Sequence, residues 1–139
     1  MKTCQHKTQV YKTKPDKNIL SNSIQLYLFS VKEAILRAHP DLAGKLAQDN
    51  NLTPESTREQ AAAGLSDIPR DKQDAIGELN ARYKDKFDFP FVICARENKI
   101  ESILKGLTSR LENGREQEVL IGTGEIKKIC WYRIIELIS

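Results

Sequence analysis

The chain has 139 residues, 40% of them apolar and 29% charged, with a formal net charge of +3. That length supports one domain able to bury most of its apolar surface. Cys4, Cys94 and Cys130 are odd in number and lack a Cys-x-x-Cys spacing, which argues against a disulfide framework or a structural zinc site and for a reducing compartment.

The charge is uneven. Residues 1–20 hold Lys2, Lys7, Lys12, Lys14 and Lys17 against Asp16, a net of +4 that leaves the remainder at −1. A basic tail can attract nucleic acid or an anionic surface, but the near-neutral body has no aromatic–basic stripe, so no nucleic-acid partner is expected. No run of about 18 apolar residues exists to cross a membrane, and no apolar stretch of signal-peptide type follows the basic start. The last residues, Leu137-Ile138-Ser139, are not the Ser-Lys-Leu peroxisomal address. Residues 1–23 are expected to be a basic, flexible N-terminal segment, and residues 24–139 one folded domain.

In chain order, Ile24, Leu28, Val31, Ile35 and Ala38 step by 4, 3, 4 and 3, which predicts one amphipathic helix with that face inward. It should stop at His39, because proline disfavours helical geometry in the residue before it. Thr53-Pro54 reads as an N-cap followed by proline at the first helical position. Ser56 and Glu59 also fit a capping box that would start the helix two or three residues later. Gly64 is the expected stop. The next helix opens near Pro69 with Ile76, Leu79, Tyr83 and Phe87 inward. Phe89-Pro90-Phe91-Val92-Ile93-Cys94-Ala95 is proline-interrupted and too short for a helix, so it reads as buried extended backbone. Ile100, Ile103, Leu104, Leu107 and Leu111 mark a further helix, with Gly114 just past its end. The last runs from about Arg115 to Leu137, and its Gly122 and Gly124 each cost about 1 kcal/mol relative to alanine. The pattern predicts an all-α fold, a compact bundle of about five or more helices.

Of the two histidines, only His39 lies in the foldable part and titrates near neutral pH. Glu59 and Gln60 follow Ser56 by three and four residues, so one helix face presents all three; this is either a capped, solvated helix start or a functional face. A carboxylate near His39 would fix its tautomer and raise its pKa, as a general acid/base requires. Arg133 shares a stripe with Ile126, Cys130 and Leu137, where it must be paired or face a pocket. A competing stripe, Trp131, Ile134, Ile135 and Ile138, leaves Arg133 merely exposed, and both readings stay open. The Phe89–Ala95 segment is either core or a pocket wall whose backbone reads an amide-rich ligand beneath Phe91.

Together, several motifs in order resemble the OHCU decarboxylases (2-oxo-4-hydroxy-4-carboxy-5-ureidoimidazoline decarboxylases). They are His39-Pro40-Asp41-Leu42-Ala43-Gly44, Leu52-Thr53-Pro54-Glu55-Ser56-Thr57-Arg58-Glu59-Gln60, Ala63-Gly64-Leu65, Leu79-Asn80-Ala81-Arg82-Tyr83, Lys86-Phe87, Phe89-Pro90-Phe91-Val92-Ile93-Cys94 and Glu125-Ile126-Lys127-Lys128-Ile129 with Arg133. The resemblance covers about residues 31–138. It implies an all-α fold, usually a homodimer, that uses neither cofactor nor metal. The implied reaction is decarboxylation of the ureidoimidazoline to (S)-allantoin in urate degradation. By motif, His39 would be the catalytic acid/base and Glu59 its carboxylate partner. Ser56 and Gln60 would hydrogen-bond the substrate, Pro40, Phe91 and Ile93 would shape the pocket, and Arg133 would contact the substrate's oxygens. The implied location is cytoplasmic, or peroxisomal by family analogy. The alternative is an inactive ureide- or partner-binding protein of the same fold. Two departures from the family stand out. Residues 1–23 do not resemble the upstream helical segment with its Glu-x-Ser-Pro-Trp-like motif, and Asp88 replaces a usual glycine, which predicts strain if its φ is positive.

Overall fold

The structure, a computed structural model, describes residues 17–42, 53–65 and 67–139. Among the described residues it holds five α-helices and no strand: α1 (Lys17–Arg37), α2 (Pro54–Ala62), α3 (Arg70–Phe87), α4 (Ile100–Arg110) and α5 (Arg115–Ile138). A 3-10 turn, Ala95–Glu97, follows the extended segment after α3. The all-α expectation holds. The boundary drawn at residue 23 falls inside α1, which is already helical at Lys17.

Most of the punctuation acts as the residue types dictate. The Thr53 hydroxyl accepts from the Ser56 backbone N–H at 3.2 Å and Pro54 opens α2, so Thr53 rather than Ser56 is the cap. Gly64, at φ +83°, ends α2. Asp88 ends α3 at φ +61°, the one non-glycine residue at positive φ among the described residues. Arg37 compensates this strained position: its Nε donates to the Asp88 carbonyl at 3.1 Å and to its carboxylate at 3.2 Å.

The expected inner face of α1 is wrong. Ile24, Leu28, Val31 and Ile35 are 38–56% exposed and Ala38 is exposed too, whereas Leu36 is fully buried with Phe29 half-buried beside it. Polar pins set this rotation. Glu33 accepts from Arg115 on α5 at 2.6 Å, and Arg37 grips Asp88. Both pins lie on the Phe29–Leu36 side, so that side turns to α5. Leu36 then rests on Gly122, where an added Cβ would lie 2.7 Å from its Cδ2. The glycine that appeared to weaken α5 is the seat of α1.

The core gathers Ile76, Tyr83 and Phe87 of α3, Phe89, Phe91 and Val92 of the extended segment, Ile103 and Leu107 of α4, and Val119 of α5. Inside it lies a polar knot that the sequence reading did not anticipate. Glu118, fully buried, accepts from the Tyr83 hydroxyl, from Arg110 Nε at 2.9 Å and from Asn113 at 2.6 Å. Arg110 also donates to the Val92 carbonyl at 2.8 Å and stacks 4.4 Å above the Phe91 ring. A buried charge is tolerable only when paired and fully hydrogen-bonded; here the pairing also fixes the extended segment. From the other side, Glu125 of α5 accepts from the Cys94 N–H at 2.8 Å. With no strand partner, the backbone of residues 89–95 is thus held by side chains of α4 and α5.

Candidate functional site

The extended segment, the end of α1 and the first turns of α2 enclose one small cavity. His39, Pro40, Ser56, Glu59, Gln60, Phe91 and Ile93 all line it. Val92 and Ala95, from the segment read as either core or pocket wall, complete the wall together with Leu42 and Ile129, which sequence reasoning did not assign to a site. The cavity volume is about 30 Å³, room for one water. A ring-shaped ligand must therefore displace a side chain to enter.

Each polar group arrives by a local cause. His39 follows α1 because Pro40 ends that helix; its backbone N–H bonds the Leu36 carbonyl at 3.1 Å. Ser56 and Glu59, both buried, sit three residues apart in the first two turns of α2, whose register Thr53 fixes. Lys99 secures the other end by donating to the Ala62 carbonyl at 2.7 Å.

Arg133 resolves the question left by the two stripes. Its Nε and Nη2 donate to the two Glu59 oxygens at 2.8 and 2.9 Å, and Nη2 reaches Ser56 Oγ at 3.3 Å. This bidentate geometry is the strongest form of such a pair. The Arg133 side chain is about one-third exposed, Glu59's only 10%. The arginine does not itself line the cavity; it lines a wider surface depression on the far side, with Thr53, Glu55, Arg58, Glu136 and Leu137. Neither stripe describes α5 as a whole, since Cys130, Trp131, Ile134, Ile135, Leu137 and Ile138 are all exposed.

The expectation that Glu59 would partner His39 and raise its pKa is therefore corrected. Glu59 shares the cavity with His39 but bonds Arg133. His39 is shifted below its ordinary value near 6.5, first by burial and then by the Arg133 charge, against opposing contributions from the Pro40 carbonyl and Glu59. The nearby carboxylate acts in the expected direction but is outweighed. His39 is consequently neutral at neutral pH. Its Nδ1 lies 3.4 Å from the Pro40 carbonyl; an Nδ1–H aimed there leaves Nε2 as the basic nitrogen. The site thus offers a neutral base, a hydroxyl, a carboxamide and a guanidinium–carboxylate pair at one small hollow. Among the described residues, no group of histidine, cysteine and carboxylate side chains could hold a metal ion.

A family model described as OHCU decarboxylase matches residues 19–135. The 2-oxo-4-hydroxy-4-carboxy-5-ureidoimidazoline decarboxylase of Xenopus laevis is 48% identical over 106 residues, covering 76% of this chain and 61% of the relative. Its Mus musculus counterpart is 42% identical over 110 residues, covering 79% and 62%. The chain spans about three-fifths of the length of these curated relatives. A crystal structure of an OHCU decarboxylase in the presence of (S)-allantoin shares the fold, with a TM-score of 0.63 at 24% identity over 91% of this chain and 84% of that one. The family match, which spans the segments bearing the histidine, the carboxylate and the arginine, establishes that this chain belongs to the OHCU decarboxylase family.

Proposed function

We propose that this chain decarboxylates 2-oxo-4-hydroxy-4-carboxy-5-ureidoimidazoline to (S)-allantoin without a cofactor. The observation that carries this reading is the convergence of His39, Ser56, Glu59 and Gln60 on one cavity, with Arg133 bonded to two of them. The curated relatives above bear the name of this activity.

The chemistry follows from the groups present. The substrate's name places a hydroxyl and a carboxyl on one carbon. Breaking the bond to CO2 leaves an electron pair that must spread onto neighbouring carbonyl and imine groups. Preorganised donors stabilise such charge, each typically worth about 3–4 kcal/mol; Ser56, Gln60 and Arg133 are the donors here. Because His39 is neutral, it acts first as base, taking the hydroxyl proton, and then as acid, returning a proton to one face of the ring carbon. Such transfers contribute roughly 10²–10⁴-fold, and delivery from one side yields one enantiomer. The anionic carboxylate of the substrate competes with Glu59 for Arg133, whose side chain is about one-third exposed.

The test mixes the protein with freshly generated substrate and follows chiral allantoin by circular dichroism. His39→Ala is expected to lose the enantiomeric bias; full retained activity would sink the proton-transfer role. Stabilisation by (S)-allantoin in thermal melting without turnover would favour the ureide-binding alternative.

The large exposed apolar residues on α1 and on the C-terminal half of α5 support a homodimer, which sedimentation velocity would reveal. No helix among the described residues is long and apolar enough to cross a membrane.

A further inference from the structure

The Leu79–Tyr83 motif of α3 lies outside the cavity wall, and two of α3's polar side chains reach across to the segment that carries His39. Asn80, almost fully buried, donates from Nδ2 to the Leu42 carbonyl at 2.6 Å. Lys84, one turn later, pairs with the Asp41 carboxylate at 3.0 Å. Both bonds fall within three residues of His39, on a stretch with no helix of its own to fix it.

That stretch needs fixing because His39 borders two spaces. On one side is the small cavity with Ser56 and Glu59. On the other is an open cleft of about 240 Å³, bounded by Arg37, Asp41, Lys84, Asp88, Phe89 and Pro90. The charged groups facing the ring are thus Glu59 and Arg133 around the cavity, and Arg37, Asp41, Lys84 and Asp88 around the cleft. A ring between a small space and a larger one gains conformational freedom by turning toward the larger. The backbone of residues 39–42 sets where the ring starts from, and α3 holds this stretch through the Leu42 carbonyl and the Asp41 side chain.

We propose that Asn80, backed by Lys84, is a positioning residue that keeps the His39 ring turned toward Ser56 and Glu59 in the small cavity. Asn80 touches no reacting atom; it acts through the Leu42 carbonyl. The inference rests on the catalytic reading of His39. A misplacement of about 1 Å at a reacting group typically costs up to 10²-fold in rate, so Asn80→Ala is expected to lower kcat about 10–100-fold with little change in KM.

The experiment uses the full chain. It measures kcat and KM for wild type, His39→Ala, Asn80→Ala and a matched control, Ile76→Val, a fully buried change on α3. It also follows the His39 imidazole titration by proton NMR, with His6→Gln to assign the two histidine signals. Asn80→Ala should lose kcat and displace the His39 titration toward that of a solvated imidazole, while Ile76→Val at comparable loss of stability does neither. As a second route that avoids the buried site, Asp41→Lys and Lys84→Asp should each lower kcat and their combination should recover it. An unmoved titration with wild-type kcat in Asn80→Ala, or equal losses in Ile76→Val, overturns the inference. If His39→Ala keeps full activity the catalytic reading has failed instead, and the titration still reports whether the clamp holds the ring.

Discussion

The seat of α1 on α5 yields a prediction in which two chemically identical substitutions part company. Gly122 and Gly124 lie two residues apart in α5, and replacing either by alanine removes the same backbone entropy penalty, about 0.5–1 kcal/mol. At Gly124 the new methyl meets nothing within 4 Å. Gly124→Ala should therefore stabilise the protein by close to 1 kcal/mol, which for a chain of this size raises Tm by about 3–5 °C. At Gly122 the methyl would lie 2.7 Å from Leu36 Cδ2 and 3.5 Å from Cδ1, where ordinary contact begins at 3.4 Å. Leu36 is fully buried and has little room to retreat, and overpacking of this kind costs about 1–3 kcal/mol. The net expectation for Gly122→Ala is a loss of about 1 kcal/mol, so the two variants differ by about 2 kcal/mol in opposite directions. Urea unfolding of both, read at constant m-value, measures it. A third variant checks the cause. Leu36→Ala alone should cost about 2–5 kcal/mol, and in the Gly122→Ala background the loss should be smaller than the sum by roughly the clash energy. Equal stabilisation by the two glycine replacements would refute the docking of α1 described above, and with it the path by which α1 delivers His39.

Other outcomes follow from the same geometry. The lowered His39 pKa means the unfolded chain takes up this proton first as pH falls, so its contribution weakens stability from about pH 6.5 downward and has no effect above it. As a base, His39 should give an acid limb of kcat/KM below pH 6.5, and Arg133→Met, which removes a lowering charge and frees Glu59, should move that limb to higher pH in a pH–rate profile. Glu118→Leu strands Arg110 in the core and should cost about 3–5 kcal/mol in urea unfolding, while Arg110→Met with Glu118→Leu should recover most of it. Asp88→Ala should cost about 1 kcal/mol by calorimetry, since it keeps the left-handed backbone and loses the Arg37 contact, whereas Asp88→Gly should cost less.

Much of this architecture was legible because local rules decide it. Thr53-Pro54, Gly64, Pro69 and Gly114 mark helix ends through backbone chemistry that needs no tertiary partner, and the structure uses all four near those boundaries. The buried Phe89–Ala95 segment was equally plain, since proline forbids the helix and the apolar run demands cover. What failed was rotation about a helix axis. α1 carries apolar residues on more than one side, and periodicity alone cannot weigh them against Glu33 and Arg37, whose partners Arg115 and Asp88 lie some 80 and 50 residues away. The polar cavity residues were found, but not who pairs with whom. Distance along the chain gives no reason for Arg133 to claim Glu59 before His39 does. One signal went unread: Arg110 continues Ile103 and Leu107 at helical steps of 4 and 3, the same pattern that raised the question at Arg133.

The buried Glu118 carboxylate of α5 draws its partners from α3, α4 and the turn after α4, which meet it only in the finished fold. An assembly in which α4 or α5 slips by one turn would enclose a bare ion, so near-native alternatives stand well above the native state in free energy. The knot therefore works as a registration check: the pocket wall it grips can be nearly right only at a prohibitive cost, and α3, α4 and α5 should melt in a single step rather than fray apart.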